Sequence, residues 1–348
     1  TRYSSTVVCN ESKTTFVSSD GCVYVLGGVR NRNTIAEERL IPTIIPFLNN
    51  IVAIATGDYH TVCLDFHGNV YGFGSNEQGQ LGLGKDVEDC TMKPQKVKLP
   101  SIKQVSCGDS FTVCLSDDGD LYSFGANIGG QLGLGEDGDC FFPKKIECLK
   151  DVDFVHCSCD FAFCKDLNND VFCWGNNWEG QLGIGDSDTQ YKYTPVKCSL
   201  WPKDVIDIKS GKYHTLVLTA TQEVYSCGRN YNGQLGFQCS SVSKLKKIAT
   251  LSNIIRIECG KEQSMCIDID NNFYVFGNNN YGQLGLGDAK NCLEPTIHPS
   301  LLNVIDISNG GNHSFVKTSN NEIYAFGRNG YSQLGIKTED EKQATPIR

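Results

Sequence analysis

Gly74-Ser75-Asn76-Glu77-Gln78-Gly79-Gln80-Leu81-Gly82 is the first of six copies of one phrase, Gly-x-Asn-x-x-Gly-Gln-Leu-Gly. The others begin at Gly125, Gly175, Gly228, Gly277 and Gly327, and the last has Ser332 in place of the second glycine. A period near fifty residues marks a solenoid, propeller or array, in which one unit cannot bury its apolar face without its neighbours.

Outward from each copy, four short apolar runs alternate with turn residues, as consecutive antiparallel strands do. In one unit, Pro94–Lys98 reads as strand a, Ile102–Cys107 as b, Phe111–Leu115 as c and Leu121–Phe124 as d, with Asp117-Asp118-Gly119 as the c–d hairpin. Strand d ends at a glycine in every unit: Gly27, Gly74, Gly125, Gly175, Gly228, Gly277 and Gly327. Seven evenly stepped d strands leave no room for a large insertion. No stretch sustains a 3.6-residue period, and Ala36–Leu40 reads as a turn at most. The expected fold is all-β, a seven-bladed β-propeller of four-stranded antiparallel blades forming a single domain over 1–348. The chain starts at a strand b (Ser5–Cys9) without a preceding a, and Ala344–Arg348 matches the a runs. The C-terminal segment is therefore expected to complete the first blade (1–28 plus 343–348), because an open ring would expose two unpaired edges. The opening at Thr1, without methionine and already in repeat pattern, is read as a monomeric domain of a longer protein.

Net charge is −9 and the Lys clusters are short and scattered, which argues against an affinity for phosphate backbones; no direct nucleic-acid contact is expected. No apolar run approaches the ~18 residues of a membrane span, so no membrane contact is expected. Eight of the 18 cysteines share repeat registers with Val and Thr: Cys9, Cys107, Cys157 and Cys259 in one, Cys63, Cys114, Cys164 and Cys266 in another. A residue that exchanges with Val and Thr acts as a small core side chain, and free thiols suit a reducing compartment, cytoplasmic or nuclear. No Cys-x-x-Cys occurs, so no metal and no cofactor is expected.

In the repeated phrase, the glycines supply positive φ and close approach, and the Asn reads as a loop staple. The leucines (Leu81, Leu132, Leu182, Leu235, Leu284, Leu334) read as plugs between adjacent blades. No copy leads into a helix or carries Lys-Ser/Thr, so none is a phosphate-binding loop. A second signature, Gly-x-x-His or a variant, fills the b–c turn, for example Gly57-Asp58-Tyr59-His60 and Gly211-Lys212-Tyr213-His214. Because the fourth residue exchanges His with Phe and Gln, it reads as packing rather than as a general base. The two middle residues vary in charge from blade to blade, which a scaffold does not require. Strand alternation puts these turns on the rim that holds the Gly-Gln-Leu-Gly loops. Asp58, Tyr59, His60, Asp109, Ser110, Asp160, Lys212, Tyr213, His214, Lys261, Glu262, Asn312 and His313 are thus the expected partner-binding residues, acidic along one arc and of mixed sign along the other.

The loop phrase, the Gly-x-x-His turn, the aromatic-Gly strand ends and the fifty-residue period together resemble the regulator-of-chromosome-condensation repeat over residues 5–348. The resemblance implies a seven-bladed propeller closed by strands from both termini. The founding member of that family is a nucleotide exchange factor for the small GTPase Ran. By that likeness, Asp58, Asp109, Asp160, His60, His214 and His313 correspond to its exchange face. It also has a β-wedge in one blade and a basic arm for DNA, for which the even spacing here has no counterpart. A plant ultraviolet-B photoreceptor branch stacks tryptophans at Gly-Trp-x-His turns, whereas Trp174, Trp178 and Trp201 stand in no such turn. A third branch uses the propeller as an interaction module in ubiquitin ligases, ciliary and signalling proteins, and the acidic charge and even repeats fit it best. The expectation is an intracellular protein-interaction propeller of a larger regulator, docking a partner such as a small GTPase. The alternative is an exchange factor for a Ran-like or Rho-like GTPase. With no nucleophile–base pair or carboxylate pair standing apart from the repeat, a conventional enzyme is not expected.

Overall fold

A computed structural model describes residues 7–30, 35–86, 89–186, 190–336 and 341–348. Its 28 strands form seven four-stranded antiparallel sheets with no helix among the described residues, the seven-bladed β-propeller that the period predicts. The sheets span residues 7–44, 51–96, 102–145, 152–197, 205–247, 254–297 and 304–347, and in each the strands lie side by side in chain order, b–c–d–a.

That order corrects the expected closure. The first sheet takes its fourth strand from Ile35–Ile44, which pairs with Val23–Arg30, so Ala36–Leu40 is strand and not turn. The C-terminal strand Lys342–Ile347 pairs with Ile323–Arg328 and completes the seventh sheet, not the first. A period fixes the spacing of strands but not their phase, because a run lying between one d and the next b can join either sheet. Here the a strand is the outer edge of the sheet that precedes it, as in Tyr71↔Lys96 and Gly125↔Cys140. Its proline (Pro94, Pro143, Pro195, Pro295, Pro346) cannot donate to a ladder and is tolerated at an edge.

Strand c is central and buried on both faces; His60–Asp65, Phe111–Ser116, His214–Thr219 and Gln263–Asp268 are buried at every position. Apolar side chains of neighbouring sheets interlock, as where Val62, Leu64 and Val70 meet Val105, Cys114 and Phe124. Each such side chain contributes ~1.5–3 kcal/mol when fully buried. Cys63, Cys114 and Cys266 sit in this core, where burial pushes their thiols up. The chain divides into two compact units, one holding sheets one to four, the other sheets five to seven together with the loop that starts at Asn177.

Candidate functional site: the b–c turns and their loops

In each unit the turns and the repeated loops form one hydrogen-bonded layer. The third turn residue accepts from the residue that begins the loop: Ser75 N donates to Tyr59 O (2.8 Å), Ala126 N to Ser110 O (2.9 Å), Arg229 N to Tyr213 O (2.8 Å) and Arg328 N to Asn312 O (2.8 Å). The second turn residue joins the turn of the next sheet. Asp58 N donates to Asp109 O and Asp109 N to Cys159 O in the first unit, as Lys212 N does to Lys261 O and Lys261 N to Gly311 O in the second.

Inside the loops, the Asn is a staple across the loop. Asn76 Oδ1 accepts from Leu81 N at 3.1 Å and its Nδ2 donates to Gly84 O at 3.1 Å; Asn127 Oδ1 accepts from Leu132 N in the same way, and Asn127 Nδ2 donates to Glu136 O. The plug leucines are buried, Leu132 and Leu284 within the clusters that join adjacent sheets. The second glycine lies against the outer strand of the following sheet. A Cβ at Gly79 (φ +83°) would stand 2.7 Å from Cys140 O, and one at Gly282 (φ +75°) 2.4 Å from Ala344 Cα. The first glycine of the turn has a different reason. The fourth residue folds back over it, so a Cβ at Gly57 would be 2.4 Å from the His60 ring and one at Gly108 2.0 Å from the Phe111 ring.

The fourth residues are therefore not part of an exposed face. His60, His214 and His313 are fully buried, which removes them from the partner-binding set. His60 Nε2 lies 2.9 Å from Thr112 Oγ1 of the next sheet, and that hydroxyl donates to Gln80 O at 2.9 Å. Since the hydroxyl proton is committed to Gln80, the imidazole must be the donor, through a proton on Nε2. His214, Ser264 and Gln234 O repeat the relay at 2.9 and 2.8 Å. Burial pushes all three histidines down to about 3, with the Lys13 charge adding to the effect at His60. Sequence reasoning missed Lys13, which pairs with Gly27 as His60 pairs with Gly74 and so holds the fourth position of the first turn. It is buried, donates to His60 O at 3.3 Å, and is pushed down to about 8 by burial. The signal was present: Lys13 lies four residues after Cys9, as Phe111 lies four after Cys107.

The remaining candidates are partly exposed except Ser110, which is buried and leaves the partner-binding set with the histidines. Asp58 and Asp109 occupy the second turn position, but Asp160 occupies the third, with Cys159 at the second. The three carboxylates gather round Cys159; burial and then Asp109, Asp160 and Asp58 push its thiol up. In the second unit, cations stand against tyrosines, a pattern not singled out in the sequence. Lys212 Nζ lies 5.1 Å from the Tyr213 ring centroid, and the Arg229 guanidinium lies 5.1 Å from Tyr213 and 4.6 Å from Tyr231. Arg328 sits 5.1 Å from both Tyr281 and Tyr331. The turns of the first unit thus carry carboxylates, and those of the second carry cations and aromatic rings.

Known proteins share this plan. The chain is 30% identical over 248 residues to the Ultraviolet-B receptor UVR8 of Arabidopsis thaliana, covering 69% of this chain and 56% of that protein. It is 36% identical over 293 residues to the human X-linked retinitis pigmentosa GTPase regulator, covering 80% of this chain and 28% of that protein. It thus spans little more than half the length of the one and under a third of the other. The crystal structure of Prp20p from Saccharomyces cerevisiae superposes with a TM-score of 0.81 at 22% identity, over 95% of this chain and 86% of that one. The Regulator of chromosome condensation (RCC1) repeat matches residues 67–115, 118–162, 168–218, 222–267 and 270–316, and a second form of it matches 51–80, 102–131, 205–234 and 304–333. On these matches and on the sheets and turns that carry them, the chain belongs to the regulator of chromosome condensation (RCC1) repeat family.

Proposed function

We propose that this propeller is a protein-interaction module of a larger regulatory protein, docking a signalling partner such as a small GTPase on the face made by its b–c turns and loops. The observation that carries this is a fixed frame with variable tips. The turn backbone and its bonds repeat from sheet to sheet, while the second and third turn residues change from Asp58-Tyr59 to Lys212-Tyr213 to Lys261-Glu262. A frame that needs only backbone places no demand on those side chains; a partner does, and charge there sets orientation and on-rate. The GTPase class draws support from relatives: one is a GTPase regulator, and Prp20p has been studied for its binding to Gsp1p and histones.

A second reading, nucleotide exchange, draws on the same relatives and on the acidic turn residues. It requires an element that displaces nucleotide. The 28 strands fall four to a sheet, and none is left over among the described residues to form one. The test is association with a panel of small GTPases together with release of labelled GDP. Docking predicts a complex without accelerated release, weakened about tenfold or more by Asp109→Lys, in line with the cost of a like charge in an electrostatically matched interface. Accelerated release lost in Asp109→Ala or Asp160→Ala would establish exchange instead. Failure to associate with any member of the panel counts against a GTPase partner.

A further inference from the structure

The turn residues of the second unit, with the first residue of each loop, carry Lys212, Lys261, Arg229 and Arg328 against one carboxylate, Glu262. Glu262 is placed by its surroundings: Asn232 Nδ2 and Asn278 Nδ2 each donate to its Oε2 at 3.1 Å, and Arg229 Nη1 lies 3.9 Å from its Oε1. Arg229 therefore holds two tyrosine rings on its faces and a carboxylate of its own chain near its edge. Arg328 has the first half of that arrangement without the second. Tyr281 and Tyr331 both lie 5.1 Å away, and among the described residues no carboxylate stands within ion-pair distance of it.

We propose that Arg328, caged by Tyr281 and Tyr331, anchors a carboxylate side chain on an acidic segment of a protein partner. The proposal rests on the docking reading above and names the chemistry of what docks on this arc. A guanidinium held between two rings has lost much of its rotamer freedom before binding, and its planar fork matches a carboxylate in bidentate fashion. The Arg229 site, two sheets earlier, shows that such a cage can sit beside a carboxylate. The excess of cations on the arc supplies the attraction.

The probe is a fluorescein-labelled ten-residue polyglutamate peptide, read by anisotropy against the whole chain, with polylysine and a single-stranded oligonucleotide of equal length as comparators. Polyglutamate is expected to bind in a salt-sensitive manner. Arg328→Gln should weaken it about tenfold or more, Arg328→Lys should fall between, and Glu262→Gln should tighten it severalfold by opening the second cage, magnitudes typical of a charge-assisted contact. Near-ultraviolet circular dichroism checks that each variant is folded. Polyglutamate binding unchanged in Arg328→Gln, no polyglutamate binding at all, or an oligonucleotide bound in its place would overturn the proposal. In those cases a GTPase complex that is still weakened by Asp109→Lys leaves the docking reading standing, so the two failures are told apart.

Discussion

The junction between the second and third sheets and the junction between the third and fourth solve one problem with different residues. Both must satisfy a buried carbonyl in the Gly-Gln-Leu-Gly loop. At the first, Thr112 Oγ1 donates to Gln80 O and receives the proton of His60. At the second, Phe111 stands where His60 stood and Ala162 where Thr112 stood, and neither has a proton to give. Trp174, at the end of strand d, supplies it instead: its Nε1 donates to Gln131 O at 2.9 Å. The polar pair His–Thr and the apolar pair Phe–Ala are each matched within themselves, and the loop carbonyl is satisfied either way. What repeats is the accounting of hydrogen bonds, not the residue that closes it.

The comparison breaks most severely at Trp174. Trp174→Ala removes a fully buried ring from the cluster that joins the third and fourth sheets and strips Gln131 O of its donor. A loss of about 4 kcal/mol is expected for a buried Trp truncation, read from the urea midpoint. Trp174→Phe separates the two effects: most of the packing stays while the carbonyl is orphaned, at a cost of about 2 kcal/mol. Adding Ala162→Thr to Trp174→Phe transplants the first solution into the second junction. Recovery of about 1 kcal/mol is expected if the new hydroxyl reaches Gln131 O as Thr112 reaches Gln80 O. A double variant no more stable than Trp174→Phe would show that the carbonyl is not what the two residues share.

Much of this was legible in the letters. The seven Gly ends of strand d announce seven sheets, and the Asn, Leu and second Gly of the loop phrase find the staple, plug and close-approach roles their chemistry suggests. Phase was not legible, because the a run before each b fits the same period whether it joins the sheet behind or the sheet ahead. Within the turn, Gly57 and His60 form one device, a ring laid over a Cα, so the histidine that looked available for a partner is consumed by the fold. Lys13 escaped because Asn10-Glu11-Ser12-Lys13 shares no letter with Gly-x-x-His; only its distance from Cys9 gave it away. The tyrosine cages escaped for another reason. Tyr213 comes from a turn and Tyr231 from the following loop of the same repeat, while Tyr281 and Tyr331 come from two successive loops, so neither cage is a run of adjacent letters.

A pH dependence sharpens the same comparison. His60 is held neutral, its pKa pushed down to about 3, while an unfolded histidine titrates near 6.5. Below 6.5 the unfolded chain takes up a proton that the folded chain refuses, so this site destabilises the fold progressively as pH falls from 6.5 towards 3. At pH 5.5 the penalty is about 1.4 kcal/mol for one histidine. Phe111 and Phe161 show that a phenyl ring fits the same position, and a phenyl ring carries no proton. His60→Phe should therefore cost some stability at pH 7.5, where the relay to Thr112 is lost, and regain about 1.4 kcal/mol relative to the parent at pH 5.5. Parallel stability–pH curves for the two proteins would mean that the imidazole is protonated in the fold, and the proton would then have to be assigned to Nδ1 against Gly57 rather than withheld.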